Sequence, residues 1–213
     1  LSVNPNTYLL LKEKFGFADS EIEIALHWVK ETNIRWGIDA ESRSKMGLPG
    51  FSENTWKAGI DRLLLGYAMP GFDRQMFSGI LPYDHIEGDE VKVLGKFLKF
   101  LDLVFNCISS FGQVQTLSGW HKTLVEILEQ FFALDDDTEQ EIQVLRQILD
   151  KMSKQEDLAG FDQLIEIEVV RSFLGNHLKH EHFGAGFISS GVTFCAMLPM
   201  RSIPFKVICL VGM

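Results

Sequence analysis

Three histidines and a glutamate lie within six residues near position 180: His177, His180, Glu181 and His182. Imidazole nitrogens and a carboxylate oxygen are ligands that Zn²⁺ prefers. A helix C-terminus also favours histidine, because the helix dipole stabilises positive charge there, and Gly184 follows soon after. The second explanation needs no ion, and the sequence predicts no metal site.

Two other groups have residue types suited to acid–base or metal chemistry. Residues 135–137 are all aspartate. Three carboxylates in a row cannot converge on one ion without an unusual loop, so they favour capping the helix that follows. Residues 83–85 read Tyr-Asp-His, and the flanking Pro82 and Gly88 predict a turn. No nucleophile and base have a spacing typical of a catalytic pair, so we expect no catalytic site.

Two tryptophans each adjoin a cation, a combination that stacks bases and neutralises phosphates in single-strand channels. Arg35 precedes Trp36, and Lys57 follows Trp56. Trp56 also lies on the apolar stripe of its helix, which favours packing in the core. Arg35, Trp36 and Lys57 are candidate DNA contacts, with core packing as the favoured alternative.

The net charge of −9 comes from 20 Lys and Arg against 29 Asp and Glu. Binding to a phosphate backbone depends on cations, so this balance argues against a broad nucleic-acid surface. It favours a protein partner and leaves room for a local basic edge. We expect Arg62 to pair with Asp61 or another acid.

At 213 residues, 46% hydrophobic and 23% charged, the composition is typical of a globular chain of one or two domains. No apolar run reaches the roughly 18–20 residues of a membrane helix. Cys107, Cys195 and Cys209 stand among apolar neighbours and predict buried thiols in a reducing, cytoplasmic setting. The chain begins at Leu1 and ends after an apolar run, so we expect a piece of a longer protein.

Residues 1–183 predict a succession of amphipathic helices, because apolar residues recur three or four positions apart. Polar residues before these stripes predict helix caps. The predicted caps are a Ser20–Glu23 capping box, Asn54 and Ser118. The helices with predicted bounds are residues 89–110 and 162–177.

The last thirty residues have a different pattern. Residues 192–197 and 206–211 are short, apolar and rich in β-branched and aromatic types, which predicts two buried strands. Pro199 and Pro204 prevent a central strand from continuing between them. The fold class is therefore mainly α: a helical domain at residues 1–183, then a truncated strand–loop–strand at 184–213.

Four blocks of this sequence resemble the RecC (gamma) subunit family of exodeoxyribonuclease V, and they occur in family order. They are IRWGID (34–39), NTWKAGIDRLLLGYAMPG (54–71), ILPYDHIEG (80–88) and MLPMRSIPFKV (197–207). The resemblance implies a bundle like the 2B subdomain of UvrD-type superfamily 1 helicases. The two strands would then return the chain to a RecA-like 2A domain.

Active helicases of this type carry T-x-H-x-x-K-G-L-E-F in that return loop. Aligned on Phe205, this chain has Ala196, Leu198, Arg201, Ser202 and Pro204 at the polar and glycine positions. The change removes the hydroxyl, imidazole and carboxylate that nucleotide phosphate and magnesium would need. No G-x-x-x-x-G-K-[ST] motif occurs either. We therefore expect no ATPase or nuclease residues and no cofactor here.

The resemblance also implies a function. It implies a non-catalytic scaffold and DNA-handling segment of an ATP-dependent exonuclease and helicase that acts on double-stranded DNA ends, recognises Chi and takes part in recombinational repair. RecB-like and RecD-like subunits, DNA ends and single-stranded DNA would be its partners, and other subunits would use the ATP and Mg. The alternative is a helical module that contacts only the partner subunits.

Two residues of the return loop join the candidate DNA contacts. Arg201 and Lys206 are the cations there. Arg201 has three possible roles: contact with a DNA phosphate, pairing with an acid at the 2A–2B junction, or satisfying the carbonyls freed by the two prolines.

Overall fold

The structure is a computed structural model that describes residues 11–69, 76–133 and 139–180. The described part is mainly helical, and its only β-pairing consists of two isolated bridges. Residues 11–15 are also helical. The helices are α1 (Asp19–Glu31), α2 (Ala40–Lys45), α3 (Trp56–Ala68), α4 (Glu90–Phe111), α5 (Leu117–Phe131), α6 (Glu139–Ala159) and α7 (Ile167–His180).

A first core lies between α1, α3, α4 and the extended segment at residues 81–87. Trp28 of α1, Leu63 of α3 and Tyr83 of the segment are all buried in it. The helix predicted over residues 89–110 is confirmed within one residue at each end. Its apolar stripe, which includes Phe97 and Leu101, faces this core, as a 3.6-residue period requires.

A second core is formed by α5, α6 and α7 around Trp120, Leu149, Met152 and Val170. Helices α5 and α6 are antiparallel. The start of α5 meets the end of α6, where the Ser118 N–H donates to the Glu156 carboxylate at 2.6 Å. His121 Nε2 lies 2.9 Å from Asp150 Oδ1 one turn further on.

Aromatic rings and one ion pair connect distant parts of the chain. The ring centroid of Phe100 of α4 lies 5.0 Å from that of Phe15 and 6.5 Å from that of Phe131 of α5. Lys96 Nζ lies 2.8 Å from Glu21 Oε1 and donates to the Gly16 carbonyl at 2.7 Å. The two cores are therefore joined through α4.

The predicted capping box of the first helix is wrong. Ser20 lies inside the first turn of α1, and Ala18 occupies the N-cap position. The Ala18 N–H donates to the Glu21 carboxylate at 2.8 Å. An acidic residue in the first turn thus satisfies the exposed amide, which leaves Ser20 without a capping role.

The other two predicted caps are displaced by one or two residues. Thr55 caps α3, with its hydroxyl accepting from the Ala58 N–H at 3.2 Å. Asn54 has a φ of 60°, and its side-chain oxygen accepts from Asn33 Nδ2 instead. Thr116, and not Ser118, caps α5. In each case a neighbouring β-branched hydroxyl has the extended backbone that an N-cap requires.

The last described helix begins five residues later than predicted, at Ile167, and extends to His180. Residues 161–164 have no regular secondary structure, and Ile165 forms an isolated antiparallel bridge with Gln115. Their two backbone hydrogen bonds are 3.1 and 2.8 Å long. This pairing consumes the donors and acceptors that a helix would need, so α7 starts after it.

Several predictions lie outside the described residues: the strands at 192–197 and 206–211, the aspartates at 135–137, and the domain boundary at 183 and 184. Within the described ranges, none of the helices has the length and apolar character needed to cross a bilayer.

Candidate functional site

Three predicted site residues lie at or next to the two ends of the connection between α1 and α3. The N–H groups of Arg35 and Trp36 donate to the Asn54 carbonyl at 2.9 and 3.3 Å. The Lys57 N–H donates to the Ile38 carbonyl at 2.9 Å. Residues 35–55 therefore form a closed loop, here called the Arg43 loop, whose two ends lie together at the start of α3.

Arg43 is buried inside this loop and holds its backbone. Its Nη1 donates to the carbonyls of Phe51 and Glu53 at 2.8 and 2.9 Å, and its Nη2 donates to the Trp36 carbonyl at 2.8 Å. Only 5% of the residue is exposed. The planar fork of donors suits this task, because one guanidinium reaches carbonyls on both sides of the loop. The three hydrogen bonds fix the separation of the loop's two sides.

The same guanidinium also supports an indole ring. Arg43 Cζ lies 4.2 Å from the centroid of the Trp36 ring, within range of a cation–π contact. Trp36 remains 45% exposed. Gly37 has a φ of +78°, and a Cβ there would lie 2.9 Å from Arg43 Nε. The loop is thus shaped closely around Arg43, and Trp36 stacks on that residue and not on its neighbour Arg35.

Sequence reasoning missed Arg43. It lies in the segment Ser-Arg-Ser-Lys, which looks like an exposed, polar turn of helix. Its partners are carbonyls seven to ten residues away, and a carbonyl leaves no trace in residue identity. The one signal in the loop sequence was Gly37, because a glycine allows a side chain such as that of Arg43 to approach the backbone closely.

Four large apolar side chains of the Arg43 loop face solvent: Trp36, Met46, Leu48 and Phe51. Exposed aromatic and methionine side chains are enriched in protein contact surfaces. Two of the nearby cations are paired within their own helices. Lys45 Nζ lies 2.9 Å from Glu41, and Lys57 Nζ lies 3.7 Å from Asp61. The surface is apolar with a mixed charged rim.

The family-resemblance block that contains α3 contacts the blocks at residues 34–39 and 80–88. A Cβ at Gly59 would collide with the Ile34 side chain, and one at Gly66 would collide with the Tyr83 backbone. The Tyr83 N–H donates to the Arg62 carbonyl at 2.9 Å. Three of the four blocks that carry the family resemblance therefore form one packed unit, and the Arg43 loop lies at its edge.

Two further predictions concern α3 itself. Trp56 packs on Phe97 and Phe105 at centroid distances of 6.5 and 6.2 Å, which confirms the core interpretation. The expected pairing of Arg62 with an acid is wrong. Arg62 donates to the carbonyls of Leu81 and Glu31 at 3.0 and 3.4 Å, because the segment that crosses α3 presents backbone acceptors there.

A shallow cleft of about 460 Å³ lies between α1 and the segment that precedes α4. The polar residues of its lining are Ser20, Glu23, His27, Tyr83, His85 and Glu90. Burial, aided by the charges of Glu31 and Glu90, raises the pKa of Tyr83, so its phenol stays protonated. Across the described ranges, no three His, Cys, Asp or Glu side chains are placed to hold a metal ion.

The remaining predicted site residues separate into two groups. His177 Nδ1 lies 2.9 Å from the Phe173 carbonyl within α7, and its ring stacks on Phe173 at 4.1 Å. Cys107 is half-buried, and burial raises the pKa of its thiol, which keeps it protonated. The side chains of His180 and His182, and residues Arg201, Lys206, Cys195 and Cys209, lie outside the described part.

These features define a helical domain that presents a rigidly held apolar loop at its surface. The RecC family model, described as the fourth domain of the RecBCD enzyme subunit RecC, matches residues 9–182. The chain belongs to the RecC family, which confirms the resemblance drawn from the sequence blocks.

Full-length relatives agree with the family model. The chain is 32% identical over 203 residues to the RecBCD enzyme subunit RecC of Mycobacterium tuberculosis (strain CDC 1551 / Oshkosh), covering 95% of this chain and 18% of that protein. It is 30% identical over 204 residues to the same subunit of Escherichia coli (strain K12), covering 96% of this chain and 18% of that protein. The chain therefore spans less than a fifth of the length of these relatives.

Proposed function

We propose that this chain is a non-catalytic scaffold and DNA-handling segment of a RecC subunit, acting within a RecBCD-type enzyme. The observation that carries the proposal is the family match over residues 9–182. The relatives are named as subunits of the RecBCD enzyme, so RecB-type and RecD-type subunits are the proposed partners.

The proposed work of the assembly is the ATP-dependent unwinding and degradation of double-stranded DNA ends, with Chi recognition and recombinational repair in the bacterial cytoplasm. Other subunits would bind the ATP and Mg. The helical content of the described residues supports a bundle like the 2B subdomain of UvrD-type helicases. Ala196, Leu198 and Pro204 support a return loop that no longer serves nucleotide chemistry.

Within this role we assign the Arg43 loop to protein contact. Four of its exposed side chains are large and apolar, and two of its nearby cations are paired with acids on their own helices. Such a surface gains free energy by burying apolar area and offers little charge to phosphates. Tryptophan is among the residues that most often dominate an interface energetically, so Trp36 is the proposed centre.

Replacing Trp36 by alanine in the RecC-type subunit tests this assignment. We expect the affinity for the RecB-type and RecD-type subunits to fall about 30-fold, which corresponds to the roughly 2 kcal/mol typical of an interface hot spot. Leu158→Ala is the matched control, because Leu158 is also an exposed apolar residue but lies on α6. Unchanged assembly with Trp36→Ala would reject the protein contact.

A second candidate function, contact with single-stranded DNA, is favoured by one observation. The backbone pairing joins the segment of Arg35 and the exposed Trp36 to the start of α3, where Lys57 lies. Aromatic rings near cations are typical of single-strand channels. If this function holds, Arg35→Ala and Lys57→Ala each lower oligonucleotide affinity and reduce its salt dependence by about one charge. Arg201 and Lys206 remain candidates for the same contact.

A further inference from the structure

We infer that Arg43 is a positioning residue, which holds Trp36 in place as the anchor for a polypeptide partner that carries an apolar groove and a carboxylate at its edge. The inference rests on the proposed protein contact of the Arg43 loop. It adds the residue that sets the geometry of the contact and the chemistry of the surface that fits it.

Arg43 contacts both the backbone and the ring of Trp36. Nη2 binds the Trp36 carbonyl at 2.8 Å, and the guanidinium carbon lies 4.2 Å from the indole centroid. One side chain therefore fixes both the backbone and the ring of Trp36. An exposed tryptophan without such support would sample several rotamers and would lose that freedom on binding, which weakens an interface.

Burial of the Arg43 guanidinium costs stability. A buried guanidinium loses its hydration, and only several hydrogen bonds compensate for the loss. Arg43 has three, yet its Nε is buried without a partner among the described residues. An apolar side chain could fill the loop interior without that cost. What the guanidinium provides in return is the fixed separation of the two sides of the loop.

The charged residues near Trp36 indicate the chemistry of its partner. Among the ion pairs of the residues that the structure describes, those of Lys45 and Lys57 involve Glu41 and Asp61, and none involves Arg35. Arg35 is exposed directly beside Trp36. A carboxylate on the partner would complement this cation, while an apolar groove would accept the indole and its neighbours Leu48 and Phe51. A polypeptide supplies both features; a nucleic acid supplies neither the groove nor the carboxylate.

The test uses four variants of the full chain: Arg43→Met, Arg43→Lys, Trp36→Ala and the Arg43→Met/Trp36→Ala double variant. The probe is the purified RecB-type subunit. We expect Trp36→Ala to bind about 30-fold more weakly and Arg43→Met at least tenfold more weakly. The double variant should be no weaker than Trp36→Ala, because Arg43 acts through Trp36. Additive losses would overturn the inference.

A spectroscopic measurement separates positioning from general stability. The chain carries 5-fluorotryptophan, and the ¹⁹F resonance of Trp36 is assigned by its loss in Trp36→Phe. Arg43→Met should shift this resonance and leave those of Trp28, Trp56 and Trp120 unchanged, because those rings lie in the two cores. Arg62→Met is the matched control, since Arg62 also binds two carbonyls but not those of the loop. It should leave the Trp36 resonance unchanged.

Arg43→Lys separates charge from shape. An ammonium keeps the charge but lacks the planar fork, so neither the resonance nor the affinity should recover. Full recovery with lysine, or an unmoved Trp36 resonance in Arg43→Met, would overturn the positioning role. If Trp36→Ala binds normally while Arg43→Met still shifts the resonance, the proposed protein contact fails and the positioning role stands.

Discussion

Two loops of this domain are each held by a buried side chain that donates to backbone carbonyls, and the two do so by different means. In the N-terminal part, the Arg43 guanidinium binds three carbonyls of the loop between α1 and α3. In the C-terminal part, the Trp120 indole donates to the Ile165 carbonyl at 2.9 Å, beside the Gln115–Ile165 bridge. One loop depends on a buried charge and the other on a neutral ring.

The difference indicates where shape is constrained most strongly. A neutral indole contributes apolar burial and one hydrogen bond together, so it stabilises the C-terminal helices directly. A buried guanidinium is costly and is justified by the geometry that it imposes. The N-terminal part also contains the close contacts of Gly59 and Gly66 and three of the four family blocks. Its loop is the better candidate for a surface with a specific partner.

The largest expected effect comes from adding one methyl group to the N-terminal part. In Gly66→Ala the new Cβ would collide with the Tyr83 backbone, so α3 and the segment that crosses it must move apart. We expect a loss of about 3 kcal/mol in the free energy of unfolding, the upper part of the range for overpacking. Urea denaturation measures it.

Gly95→Ala is the matched control for that change. Gly95 also lies within a helix, α4, but a Cβ there meets nothing within 4 Å. The same substitution should raise stability by about 0.5–1 kcal/mol, because alanine is the better helix former. Equal effects at the two glycines would mean that the close contact does not hold the N-terminal part together.

The corresponding change in the C-terminal part is Trp120→Phe. It removes the indole N–H, leaves the Ile165 carbonyl without that donor and opens a small cavity in the second core. We expect a loss of about 2 kcal/mol, from the lost hydrogen bond and the lost packing. Lys122→Ala, an exposed neighbour on α5, should change stability by no more than about 0.5 kcal/mol. A loss confined to that range in Trp120→Phe would contradict a role in holding the loop.

A pair of identical substitutions compares the two parts more finely. Thr55 and Thr116 are both N-caps, of α3 and α5. Thr55 is also buried, and its hydroxyl donates to the Ser52 carbonyl at 2.6 Å, which stabilises the last turn of the Arg43 loop. Thr55→Ala should cost about 2 kcal/mol and Thr116→Ala about 1 kcal/mol. Thermal unfolding of both variants tests the order. Equal losses would show that capping alone sets the cost, and a larger loss in Thr116→Ala would contradict the added role of Thr55.

The sequence predicts the helices of this fold well, since local periodicity carries that information. The long helix at 89–110 is an example: its apolar stripe is continuous, so its bounds were within one residue of α4. The caps were less accurate. Asn54 and Thr55 are both good N-caps, and the choice between them depends on Asn33, which binds the Asn54 side chain from 21 positions away.

The candidate site was predicted only in part, for a related reason. Arg35, Trp36 and Lys57 were identified because aromatic and cationic types are informative in themselves. Arg43 was not, because its partners are backbone carbonyls and every residue has one. The start of α7 was also misplaced, since the Gln115–Ile165 bridge joins segments fifty residues apart. Contacts of this kind arise from the tertiary structure alone.

The smallest expected effect is a pH dependence specific to the N-terminal part. Hydrogen bonds from Lys96 and from the Ala18 N–H hold the pKa of Glu21 below its ordinary value of 4.5. A carboxyl whose pKa is lower in the folded state contributes stability above its unfolded pKa and loses it as the pH falls through the folded value. Glu21→Gln should therefore lose less stability than the wild type as the pH falls from about 5 to 3.

Glu129→Gln provides the comparison in the C-terminal part, because the Glu129 carboxylate lies 3.5 Å from Arg146, a longer separation than the 2.8 Å of Glu21 and Lys96. A looser, more exposed pair contributes little to stability, so this variant should follow the wild-type pH profile. Urea midpoints at several pH values measure both variants. If Glu21→Gln also follows the wild-type profile, the contact between α1 and α4 depends on packing such as that of Trp28 on Phe97 and not on the ion pair between Glu21 and Lys96.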